Sequence, residues 1–162
     1  LCDVVSKNGA LMLNIGPKAD GTIPEADEKR LLEIGKWLQT NGEAIYDTKP
    51  WRVFGEGPTQ VKEGHFTDGE DKGFTPRDIR FTAKGPHLYA ALMKRPKDGQ
   101  ALITTLARPE KGQNPHFNGI IRDVAVLGDA QAPAWERRED GQFVKMAPGE
   151  SDLPVVIRMT LE

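Results

Sequence analysis

The stretch Asp78-Ile79-Arg80-Phe81-Thr82-Ala83-Lys84-Gly85-Pro86-His87-Leu88-Tyr89-Ala90-Ala91-Leu92-Met93 decides the fold class. Its first six residues alternate polar and apolar, the period of a strand with one buried face. Lys84-Gly85-Pro86 is a turn signal, and His87 to Met93 returns as the partner strand of a hairpin. Working outward, Ala101–Ala107, Ile120–Leu127, Ala134–Arg138, Gln142–Met146 and Val155–Leu161 read as further strands. Turn residues separate them at Pro96 to Gly99, Pro109 to Asn114, Asp140-Gly141 and Pro148-Gly149. Strands at this spacing without helices predict a β-sandwich of about seven strands. Residues 51–162 are long enough to bury a core of their own. The stretch from Gly55 to Thr75 is expected to be a long surface loop with at most one short strand.

Upstream of Tyr46 the pattern is different. Leu1, Val4 and Val5 share one helical face, and Asn8-Gly9 closes that helix because both residues tolerate the left-handed conformation. Ala10-Leu11-Met12-Leu13-Asn14-Ile15 is apolar on both faces, as in a parallel strand covered on both sides. Thr22 and Glu25 have the spacing of a capping box, with Pro24 in the first turn. The helix they open is expected to run to about Thr40. Leu31, Ile34, Gly35 and Leu38 form its buried stripe, with Trp37 beside it. Gly35 implies close packing on a sheet. One strand buried on both faces needs parallel neighbours, so the chain is expected to begin inside a helix, with the partner strands upstream.

Composition narrows the function classes. The 162 residues carry 22 Lys plus Arg against 24 Asp plus Glu, a net charge of −2. A balanced chain has no basic field for a phosphate backbone, so no nucleic acid partner is expected. No apolar run approaches the roughly 18 residues of a membrane span, so no membrane is expected either. The single cysteine, Cys2, excludes an internal disulfide and any paired-cysteine metal motif. Gly55-Glu56-Gly57 is not a dinucleotide fingerprint, since Gln60 stands where the third glycine belongs. There is no nucleophile elbow and no Asn-x-Ser/Thr acceptor.

The residues just read resemble the carboxy-terminal part of the α-L-fucosidases of glycoside hydrolase family 29. Leu1-Cys2-Asp3-Val4-Val5-Ser6-Lys7-Asn8-Gly9, Leu11-Met12-Leu13-Asn14-Ile15-Gly16-Pro17 and Asp20-Gly21-Thr22-Ile23-Pro24 carry the resemblance. Gly35-Lys36-Trp37-Leu38, Asn41-Gly42-Glu43-Ala44-Ile45-Tyr46, Phe54-Gly55-Glu56-Gly57-Pro58-Thr59 and Asp78-Ile79-Arg80-Phe81-Thr82 continue it in order. The family usually places Asn where Ala10 stands. The fold expected is mainly β: an antiparallel β-sandwich, residues 47–162, preceded by a terminal α-β-α piece of a (β/α)8-type barrel, residues 1–46.

The resemblance further implies retaining hydrolysis of terminal α-L-fucose by an Asp nucleophile and a carboxylic acid/base, about 5 Å apart as such pairs are. Both belong to upstream segments, so no catalytic residue, cofactor or metal ligand is expected in this chain. The implied partners are fucosylated glycans bound through the rest of the barrel, and a homo-oligomer of the parent enzyme. A secreted, periplasmic or lysosomal location is expected for the family.

Individual residues carry weaker expectations. Asn14 lies at the carboxyl end of the predicted strand, where a barrel keeps its active site, and is the one candidate for the floor of a sugar pocket. The alternative is that its side chain ties down the following turn. Trp51, Tyr89 and Trp135 have faces suited to sugar stacking, but core packing is the better expectation for each. Trp51, just past the short linker Asp47–Pro50, is expected to sit at the junction of the two parts. His65, Asp68, Glu70 and Asp71 lack metal-ligand spacing and read as a solvated loop; His87 and His116 are isolated. A different class of function, a stand-alone carbohydrate-binding module, would need exposed coplanar aromatics, and aromatics are only 7% of the chain.

Overall fold

A computed structural model describes residues 1–60, 73–108 and 116–162. In chain order the elements are α1 (Cys2–Ser6), α2 (Glu25–Asn41), β1 (Lys49–Glu56), β2 (Ile79–Lys84), β3 (His87–Leu92), β4 (Gln100–Ile103), β5 (Ile121–Val126), β6 (Ala134–Arg137), β7 (Gln142–Lys145) and β8 (Val155–Leu161). Short 3-10 turns follow α2 at Gly42–Ala44 and β4 at Thr104–Leu106. The fold is mainly β, as read. A five-stranded sheet has the order β1-β2-β3-β8-β5, a three-stranded sheet the order β4-β7-β6, and every pairing is antiparallel.

The β2–β3 hairpin forms as its pattern predicts, in register from Ile79 opposite Leu92 to Lys84 opposite His87. Alternation sends Ile79, Phe81, Leu88, Ala90 and Leu92 inward, against Ile157 and Met159 of β8 and against Ile103 and Val144 of the second sheet. Fully burying each large apolar side chain stabilises the fold by roughly 1.5–3 kcal/mol. The other face of the same sheet is covered too. Tyr89, Ala91 and Val156 pack against Cys2 and Ala44, with Trp37 and Ile45 alongside. Thr82, on that face, donates its hydroxyl to the Ala44 carbonyl at 2.7 Å.

Several expectations fail in informative ways. Ala10–Ile15 forms no strand; Leu11 and Leu13 are exposed and Met12 is 94% exposed. A parallel strand needs neighbours with which to pair, and none of the described residues supplies them. The capping box is absent. Pro24 holds the N-cap position of α2 without a side-chain bond, and Asp20 takes the Thr22 hydroxyl and amide instead, at 2.7 and 3.0 Å. Of the predicted stripe on α2, Leu31, Trp37 and Leu38 are half-buried, whereas Ile34 and Gly35 are exposed. A Cβ at Gly35 would meet nothing within 4 Å, so close packing does not explain this glycine.

Eight strands form among the described residues, one more than expected. The additional one is β1, which takes Lys49 and Pro50 out of the expected linker. Pro50 fits there because β1 is an edge strand, where a missing N–H leaves no ladder bond unmade. The register shifts between Pro50 and Gly55. Predicted strand 101–107 is β4 followed by the 3-10 turn. The predicted turn at Pro109 to Asn114 lies outside the described residues.

Candidate functional site

Asn14 belongs to the segment from Gly9 to Pro24, which hangs between α1 and α2. The described backbone hydrogen bonds of its residues reach only α1, one another or the start of α2: Gly9 to Val4 at 2.9 Å, Lys18 to Thr22 at 2.8 Å, Gly21 to Lys18 at 2.9 Å and Pro24 to Asp27 at 2.9 Å. Asn14 is exposed. Its side chain bonds to none of the described residues, and the turn after it is tied by Asp20.

The helices on either side of the segment are tied to the five-stranded sheet, α1 directly before it and α2 only towards its far end. At the α1 end, Arg80 of β2 donates its Nε–H to Asp3 Oδ1 at 2.5 Å, and Lys7 donates to Asp3 Oδ2 at 2.8 Å. Arg80 is 4% exposed, and the rings of Phe54 and Phe74 lie 5.5 and 5.2 Å from its guanidinium carbon. Burial opposes ionisation of Asp3, but the bonds from Lys7 and Arg80 outweigh it and hold the carboxyl below its ordinary range. At the α2 end, Trp37 donates its indole N–H to the Pro154 carbonyl at 2.7 Å. Between these anchors the packing leaves a void of only about 10 Å³, lined by Cys2, Trp37, Ala44, Arg80 and Val156 among others. That is room for one water at most. Burial pushes the Cys2 thiol up to about 11, so it is a packed side chain and not a nucleophile.

The three aromatic candidates do not converge. Trp51 lies on the inner side of the sandwich, edge-on to Phe81 with centroids 5.2 Å apart, and not at the junction with the helices. Tyr89 is 2% exposed and packs on the opposite face of the same sheet. Trp135 is 37% exposed on β6, an edge strand of the other sheet. His87 approaches the Thr160 hydroxyl at 3.3 Å, and the His116 carbonyl accepts from Arg52 at 3.2 Å. No group of three potential metal ligands occurs among the described residues. The loop residues His65, Asp68, Glu70 and Asp71 lie outside them. No helix among them is long and apolar enough to cross a membrane.

An open groove of about 880 Å³ runs past Glu56, Gly57, Arg77, Asp98 and Leu102. The two carboxylates among its described residues accept hydrogen bonds. Glu56 accepts from the Thr104 and Thr105 amides at 2.8 and 2.6 Å and from the Thr105 hydroxyl; Asp98 accepts from the Gln100 amide at 3.0 Å. Acid/base hydrolysis of a glycoside needs two carboxyl groups free to face the bond. Among the described residues of this groove, Glu56 has both carboxylate oxygens bonded to the Thr104–Thr105 backbone.

Sequence reasoning missed Asp3, Arg80 and Trp37. Arg80 and Thr82 occupy the polar positions of an alternating strand, which reads as a solvent face. The one available signal was Asp3, an acid on the turn opposite a run of apolar residues.

Comparison with known proteins bears on what the exposed segment belongs to. The family model described as α-L-fucosidase matches residues 1–43. An α-L-fucosidase of Branchiostoma floridae is 39% identical over 157 residues, which is 87% of this chain and 31% of the relative. The human plasma α-L-fucosidase is 37% identical over 152 residues, 91% of this chain and 27% of the relative. The crystal structure of Thermotoga maritima α-fucosidase superposes with a TM-score of 0.69 at 26% identity, covering 98% of this chain and 32% of that one. The chain thus spans no more than about a third of the proteins it matches.

Proposed function

We propose that this relative of the α-L-fucosidases is the carboxy-terminal part of such an enzyme, with residues 1–46 completing a catalytic barrel and residues 47–162 forming a sandwich that braces it. The parent enzyme hydrolyses terminal α-L-fucose from glycoconjugates with retention, using a nucleophile and an acid/base from upstream segments. The 162 residues alone are inactive. Fucosylated glycans are the substrates, and Asn14 contributes to the floor of the pocket.

One observation carries this reading. Leu11, Met12 and Leu13 are exposed in a segment that leaves α1, a helix bonded to a well-packed sheet through Asp3 and Arg80. Three neighbouring exposed apolar side chains call for a partner, and a barrel's remaining strands are that partner. The scattered placement of Trp51, Tyr89 and Trp135 argues against a sugar-binding platform.

Assay of an aryl α-L-fucoside tests the reading. The parent enzyme should hydrolyse it, and the purified 162-residue chain should not exceed a buffer blank. Turnover by the chain alone, or none by the parent, would overturn it.

A further inference from the structure

We infer that Arg80 is a positioning residue for the sugar pocket, acting through Asp3; this rests on the reading that residues 1–46 complete a catalytic barrel. A guanidinium on a covered sheet face costs several kcal/mol unless it is paired. Arg80 is paired at Nε and Nη1. Asp3 takes its Nε–H, the Ile79 and Glu56 carbonyls take its Nη1–H at 3.0 and 3.4 Å, and Phe54 and Phe74 flank it. Gly55 makes room for it, since a Cβ there would lie 2.9 Å from Arg80 Cδ and 2.3 Å from the Ile79 carbonyl oxygen.

The partner element cannot hold itself. α1 has five residues, too few for a stable helix in water. Its place on the sheet is therefore set by what it touches, and Asp3 is its charged contact with β2. The chain leaves α1 in a fixed direction. Asn8 adopts a left-handed φ of 65°, and Gly9 folds back to the Val4 carbonyl at 2.9 Å. Asn14 follows within one short strand length.

Arg80 thus fixes the point from which the segment carrying Asn14 starts. In a strand, a slip of one residue turns every side chain to the opposite face. A misplacement of about 1 Å at a catalytic pocket can cost on the order of a hundredfold in rate. The sandwich contributes to catalysis by setting that register, without touching substrate.

The test uses the parent enzyme and a small aryl α-L-fucoside, at a temperature where all variants are folded. Arg80→Met and Asp3→Asn should each lower kcat about three- to thirtyfold while KM changes less, as coupling through a packed contact would do. The double variant should be no worse than the poorer single one. Arg80→Lys, which keeps the charge near Asp3, should recover part of the loss. Gly99→Ala, which disturbs the sandwich beside the second sheet because a Cβ there would lie 2.3 Å from the Met146 carbonyl oxygen, should lower the melting temperature and leave kcat unchanged. Wild-type kcat in Arg80→Met, or losses that multiply in the double variant, would overturn the inference. So would a loss of kcat in Gly99→Ala equal to that in Arg80→Met, since general loosening would then suffice. If Arg80→Met does not fold, Asp3→Asn and Arg80→Lys carry the test. A wild-type parent that hydrolyses no fucoside overturns the underlying reading instead, and this inference with it.

Discussion

Trp37 reaches Pro154 across 117 residues of sequence, its indole N–H 2.7 Å from the carbonyl oxygen. The bond ties the last third of α2 to the entry of β8. Trp37→Phe keeps most of the ring and orphans that carbonyl. Urea unfolding of the 162-residue chain should show a loss of about 1–2 kcal/mol. Trp37→Ala removes the half-buried ring as well and should cost about 3 kcal/mol. A Phe variant as stable as wild type would show that the bond contributes nothing.

Asp78 gathers Thr59 and Thr75, accepting the amide and hydroxyl of each at distances from 2.6 to 2.8 Å. Burial opposes its ionisation, but the bonds from Thr75 and Thr59 outweigh that and hold the carboxyl below its ordinary range. A folded pKa below the unfolded value of about 3.9 stabilises the protein at neutral pH. That contribution starts to fall below about pH 5 and is lost as pH drops through the folded pKa. Asp78→Asn should therefore be less stable than wild type by about 2 kcal/mol at pH 7, with the gap narrowing towards pH 3. Urea midpoints at the two pH values check this. A gap that is constant with pH would exclude the ionised carboxylate as its source.

Gly57 has φ of +126°, and a Cβ there would lie 2.5 Å from Asp78 Cα. Gly57→Ala should lower stability by more than about 1 kcal/mol, read by thermal unfolding. An unchanged melting temperature would mean that the backbone there relaxes freely.

Gly35 gives the opposite sign. It lies inside α2 with open space where a Cβ would go. Gly35→Ala should stabilise the isolated chain by about 0.5–1 kcal/mol in urea unfolding. Destabilisation there would mean that this helix face is packed in solution.

Seven of the strands were legible because alternation and turn residues coincide, as at Phe81, Leu88 and Gly85-Pro86. β1 was not. It is an edge strand interrupted by a bulge, so Pro50 and Gly55 break the pattern without breaking the pairing. The expectation that Trp51 marks the junction fails for a related reason, and Trp37 lies there instead. Nearness to the junction in sequence says nothing about the side of the sheet a residue faces. Pro50 lies opposite Thr82 on the outer face, which puts Trp51 on the inner one. The contacts around Arg80 were hidden because a polar position in a strand looks the same under water as under a helix. The strand 10–15 reads strongly from sequence because its apolar residues suit burial on both faces, and burial needs neighbours that the described chain does not bring.

The two-sided covering of the five-stranded sheet also bears on how such a module can be inherited. A sandwich with one wet face can be moved between proteins at its linker. Severing this chain after residue 46 would bare Tyr89, Ala91 and Val156, which now lie under Cys2, Trp37 and Ala44. Any recombination event that transplants the sandwich must therefore carry the preceding helices with it, or supply a new apolar cover. The unit that evolution can shuffle is larger than the unit that the strand pattern outlines.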